Sequence, residues 1–184
     1  MRFLTSLVLA CLLGSSATAE QLSLPGHFIK PSDVKIPAGT EWGQIKRTIQ
    51  PFENWTLICD ENLKLKQRTC NASQIIVDQS GNQIFSWSLA ATQDGKPFML
   101  LRVKPSINRK IPISVWFPDR QAPIQVSYTG CDNVVCLGVM PVGPVTRANI
   151  NKGSDLKFTF QNEANTKVEI IAPLKGLKDA INAI

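Results

Sequence analysis

The sequence predicts an all-β domain, an antiparallel β-sandwich finished by a short C-terminal amphipathic helix, in a chain that is exported and stapled by disulfides. Three observations carry this. Short apolar runs alternate with polar residues at period two, which puts one face of each strand in a core and the other in water. Turn-forming residues separate the runs at spacings that suit hairpins. Four cysteines remain once an N-terminal apolar leader is set aside, and an even number in an exported chain reads as two disulfides.

The leader is residues 1–19. Arg2 supplies a positive start, Phe3 to Leu13 an apolar run, and Ala17-Thr18-Ala19 the small residues of a cleavage site before Glu20. A permanent membrane anchor fits less well, because the run is far shorter than the roughly 20 residues that span a bilayer. Cys11 has a faint lipoprotein-site context in Val8-Leu9-Ala10, but cleavage there would leave an unusually short apolar region. No later stretch is long and apolar enough to span a membrane. Residues 20–50 carry Pro25, Pro31, Pro37, Gly26 and Gly39 with little apolar periodicity, which predicts an extended tail. The folded domain is expected over 51–184.

Within it, Phe85, Trp87 and Leu89 alternate with Ser86 and Ser88; Ile124, Val126 and Tyr128 with Gln125 and Ser127; Leu156, Phe158 and Phe160 with Lys157 and Thr159. Turns are expected at Ser80-Gly81-Asn82, Asp94-Gly95, Asp119-Arg120-Gln121 and Lys152-Gly153. The resulting strands lie near 54–59, 69–78, 83–92, 97–104, 111–117, 123–129, 134–140, 155–161 and 166–172. Pro105, Pro112, Pro118 and Pro123 fall at strand ends, where a missing backbone donor does least harm. Only the last nine residues read as helix, with Leu177, Ala180, Ile181 and Ile184 at i, i+3, i+4 and i+7, suited to plugging one end of the core.

Cys59, Cys70, Cys131 and Cys136 allow three pairings. Their short separations favour Cys59 with Cys70 and Cys131 with Cys136. Rings of this size restrain the unfolded chain by roughly 2 to 3 kcal/mol each on the loop-entropy scale. Neither spacing is the Cys-x-x-Cys of a redox centre.

The search for chemistry returns little. The sole histidine, His27, sits in the tail, away from any site where it could act as a base or hold zinc. The carboxylates Asp60, Glu61, Asp78, Asp94, Asp119, Asp132 and Asp155 fall at expected turns or strand ends, where Asp usually bonds the backbone. No glycine loop precedes a helix as phosphate binding requires. The expectation is no catalytic residues, no cofactor and no metal. Removing Arg2 with the leader turns the formal +6 into +5, and the basic residues are scattered. That leaves binding to an anionic glycan or lipid open, while the aromatic positions match core parity and argue against nucleic acid.

At Pro51-Phe52-Glu53-Asn54-Trp55-Thr56-Leu57-Ile58-Cys59 a signature comes into view. A Phe-x-x-Trp-x-x-x-Cys strand, a second cysteine at Cys70, a Cys-x4-Cys pair at Cys131 and Cys136, and a closing Gly-x-x-x-Ala at Gly176 to Ala180 together resemble the invasion-associated locus B family, exported proteins of Gram-negative alphaproteobacteria. Glu53-Asn54 stand where the family often has Gly-Asp, Val135 where glycine is common, and Leu177 where phenylalanine is. The resemblance implies an immunoglobulin-like sandwich and, in pathogenic members, a role in host-cell entry; the leader adds an expected place in the periplasm or cell envelope, and the stapled all-β chain without catalytic chemistry an expected action through contacts with an envelope or host protein. The resemblance supplies no catalytic residues.

Overall fold

A computed structural model describes residues 36–91 and 95–184, together with positions 23, 24, 27, 28, 30, 32 and 34. The leader expected at 1–19 lies outside the described residues. The chain divides into two units, Met1–Lys35 and Ile36–Ile184. The first contains a short antiparallel pair, β1 (Ser23–Leu24) and β2 (His27–Phe28). The second is a two-layer β-sandwich.

Its larger sheet opens with consecutive antiparallel strands: β3 (Ile45–Phe52), β4 (Trp55–Asn62), β5 (Gln67–Val77), β6 (Gln83–Ala91) and β7 (Pro97–Val103). The chain then crosses to the smaller sheet with β8 (Ile113–Trp116) and β9 (Ile124–Val126). It returns with β10 (Tyr128–Cys131) and β11 (Cys136–Pro141). After helix α1 (Pro144–Lys152), β12 (Asp155–Gln161) and β13 (Lys167–Pro173) complete the smaller sheet, and helix α2 (Leu177–Asn182) ends the fold. The orders are β10-β11-β7-β6-β5-β4-β3 and β13-β12-β8-β9.

Local chemistry sets the reversals. Asn62 accepts the backbone N–H of Lys64 and Leu65 through its Oδ1, and Asp78 does the same for Ser80 and Asn82. These are side-chain turns that asparagine and aspartate favour. Gly81 follows at φ 80°, a left-handed conformation cheap only for glycine.

The core lies between the sheets. Phe85 and Trp87 of β6 meet Phe158 of β12 with ring centroids 4.8 and 4.9 Å apart, and Trp55 packs on Trp87 at 5.0 Å. All four rings are essentially inaccessible. Burying each such side chain is worth roughly 2 to 3 kcal/mol against exposure. Their polar atoms are provided for as well: the indole N–H of Trp55 and the amide of Gln74 both donate to the Pro173 carbonyl, at 3.2 and 3.0 Å, tying the larger sheet to the last strand of the smaller one.

Four features depart from the sequence reading. Strand β3 begins at Ile45, inside the segment expected as tail; its alternation is broken by polar residues on both faces, as befits an edge strand, and Pro51 is tolerated there for the same reason. The run expected as one strand at 123–129 is two, split at Ser127 where the chain changes sheet, so that a Cβ on Gly138 would stand only 3.0 Å from Val126 Cγ1. Helix α1 lacks an apolar stripe. Pro144 starts it, Gly153 at φ 65° stops it, and its fully buried Asn149 donates to both oxygens of Asp119 at 3.1 Å and to the Val145 carbonyl at 3.0 Å. Helix α2 does cover the core with Leu177 and Ala180, but it ends at Asn182 and leaves Ile184 exposed.

Candidate interaction surface

Cys131 and Cys136 face each other across the β10–β11 hairpin and are bonded. Within the loop they close, Asp132 Oδ1 accepts the N–H groups of Val134 and Val135, each at 2.7 Å. The Val135 and Val134 donors hold the Asp132 carboxyl below the usual carboxylate range. A covalent staple and a charged cap therefore fix six residues, and the side chain they present is apolar: Val134 is 78% exposed.

Behind the loop lies a groove of about 280 Å³ lined by Gln83, Ile84, Arg102, Lys104, Val134 and Val135. Arg102 is half-buried, and its Nη1 donates to Ser88 Oγ at 2.9 Å. Burial lowers its pKa, and among the described residues no carboxylate forms an ion pair with it. A desolvated guanidinium served by one hydroxyl has capacity left for an anion. Lys104 stands at the rim, close enough to help depress Asp78, whose main partner is the Asn82 backbone.

The other pair, Cys59 and Cys70, is bonded across β4 and β5 on the core side of the larger sheet. Arg68 lies over it, with Nη2 3.3 Å from Cys59 Sγ and Nη1 3.3 Å from the Ile184 carbonyl. Cys59 is 2% exposed, which suits a staple and leaves no room for thiol exchange. The structure thus places the four cysteines in two separate parts of the sandwich, and the loop closed by Cys131 and Cys136 borders the groove through Val134 and Val135. Sequence reasoning missed Arg102. The signal available was the β7 run Phe98-Met99-Leu100-Leu101-Arg102-Val103, where apolar residues occupy both faces and the cation interrupts the outer one.

Where carboxylates are perturbed they move away from acid catalysis. Asp60, Asp78, Asp132 and Glu169 all fall below their usual values: Asp60 is held by the Arg47 guanidinium at 2.7 Å and Glu169 by the Lys167 ammonium at 2.9 Å. Among the described residues no three His, Cys, Asp or Glu side chains gather as metal ligands, and no helix is long and apolar enough to cross a membrane.

The fold is similar to that of the crystal structure of invasion associated protein b from Bartonella henselae, at a TM-score of 0.63 and 16% identity, over 74% of this chain and 93% of that one. No curated protein matches the sequence. The family model for invasion associated locus B protein matches residues 55–184, which include both disulfides, the groove and both helices; the chain belongs to the invasion-associated locus B family.

Proposed function

We propose that this chain is exported to the cell envelope and assists host-cell invasion without catalysis, by contacting an envelope or host protein through the 131–136 loop and the groove behind it. The observation that carries this reading is the exposed Val134 on a loop immobilised by the Cys131–Cys136 bond and by Asp132. Presenting an apolar side chain rigidly costs stability in isolation and reduces the ordering entropy of binding, the usual design of a contact surface. Family membership supports the invasion role, and two disulfides support an oxidising compartment. In the test, cells carrying Val134→Glu enter host cells several-fold less often than wild type while protein level and melting temperature stay the same. Unchanged entry overturns the reading.

A second reading is an envelope-maintenance module that binds anionic glycan or lipid. The half-buried Arg102, which among the described residues forms no ion pair with a carboxylate, favours it together with the neighbouring Lys104. Retention on heparin at low salt, lost at high salt, is the expected behaviour. Passage straight through the column counts against it.

A further inference from the structure

An antiparallel sheet packed on one side normally turns polar residues outward on the other. The seven-stranded sheet does so on β4 and β5, where Thr56, Asp60, Thr69, Asn71 and Ser73 turn outward, but it also carries apolar residues on that face. Ile49 of β3 and Ile58 of β4 face each other on the side away from the core; Ile75 of β5 is 61% exposed, and Leu100 of β7 is paired with Val139 of β11, which is 41% exposed. At one end of β7 and β11 this face forms an open apolar groove of about 330 Å³ lined by Phe98, Val139, Pro141 and Pro97. At the other end stand Arg102 and Lys104. Phe98, Leu100 and Arg102 alternate along one side of β7 and Lys104 follows, so the strip runs about 20 Å from apolar to cationic at the usual rise per residue.

Among the outward strand positions the charge is net positive, Arg47 and Arg102 against Asp60. The single carboxylate among the outward positions of β3–β7 and β11 is Asp60, and Arg47 neutralises it through two hydrogen bonds of 2.7 Å. What remains is an apolar strip along β7 and β11 with Arg102 and Lys104 at its cationic end, Lys104 sharing its field with Asp78, the pattern of a protein surface that lies on a membrane. We propose that the outer face of the seven-stranded sheet docks on an anionic phospholipid bilayer, with Phe98 and Val139 reaching the headgroup–acyl boundary and Arg102 and Lys104 meeting phosphates. This deepens the second reading above, since it names the ligand of the same cations.

The test is co-sedimentation of the protein, purified after export, with vesicles of pure phosphatidylcholine and of phosphatidylcholine mixed with phosphatidylglycerol. Wild-type protein is expected to partition onto the anionic vesicles at least tenfold more strongly, with the difference collapsing at high salt. Lys104→Gln should lower that partition about fivefold and Arg102→Gln with Lys104→Gln tenfold or more, each cation near an anionic surface contributing on the order of one such factor. Val139→Ser, at an exposed position, should lower it several-fold with an unchanged melting temperature. All variants share one N-terminus, so differences among them report the sheet face. Equal binding to both vesicle types, or no effect of Lys104→Gln and Val139→Ser, overturns the proposal. So does a stable dimer in sedimentation velocity that Val139→Ser dissociates. Binding to heparin without binding to vesicles overturns the membrane proposal and leaves the anionic-ligand reading standing; binding to neither removes both.

Discussion

The indole N–H of Trp87 is donated to Oε1 of Gln74 at 2.9 Å, in the middle of the sandwich where both side chains are buried. The same amide passes its own proton to the Pro173 carbonyl. Gln74→Leu fills the space but leaves the Trp87 donor without a partner in an apolar core. It should lower the unfolding free energy by about 2 kcal/mol, seen as a reduced urea midpoint with an unchanged slope. A midpoint equal to wild type would show that water or a rotated indole replaces the bond.

Gly176 stands at φ 90°, and a Cβ there would collide with the Phe52 carbonyl oxygen. Gly176→Ala is expected to cost about 3 kcal/mol, combining left-handed strain with displacement of the β3–β4 turn. Gly81→Ala, at φ 80° with open space around it, should cost only about 1 kcal/mol. The family's closing glycine and alanine thus act on packing: the first allows helix α2 to touch the turn, and Ala180 is fully buried.

Tyr128 is the single tyrosine of the chain, so its ionisation can be followed by absorbance alone. Burial pushes its phenol up to about 12, and its hydroxyl has no hydrogen-bond partner among the described residues. The folded pKa is raised, so the stabilising contribution of the neutral phenol is complete below the unfolded value of about 10 and is lost as pH rises towards 12. Titration of native protein should give a midpoint near 12, and titration in urea one near 10.

Opening the Cys131–Cys136 bond by double serine substitution should cost stability by roughly 2 kcal/mol, and opening Cys59–Cys70 somewhat more, as the ring is larger. The two variants should differ in a second respect: loss of the 131–136 bond should raise amide exchange at Val134 and Val135 and reduce invasion, while loss of the other should not affect the loop. Equal exchange in both variants would mean that Asp132 alone holds the loop.

Most strands were legible because one face of each is in the core, and Phe85, Trp87, Phe158 and Leu156 alternate as that requires. Strand β3 was hidden because an edge strand is partnered on one side and carries Lys46, Arg47 and Gln50 without a regular apolar face. Helix α1 was hidden because its buried positions include the polar Thr146 and Asn149, the latter donating to Asp119, and leave no apolar period. The groove was hidden for another reason. Val134, Arg102 and Gln83 come from three separate strands or loops, and only the pairing of β6, β7 and β11 brings them together.

Each bridge joins residues that face one another across a single hairpin, Cys59 with Cys70 and Cys131 with Cys136. Oxidation therefore needs nothing beyond local strand pairing, and of the three connectivities open to four cysteines, the native one is reached by the shortest loop closures. A chain delivered unfolded across a membrane can lock each hairpin as it forms, before the two sheets meet, and has little call on disulfide reshuffling afterwards.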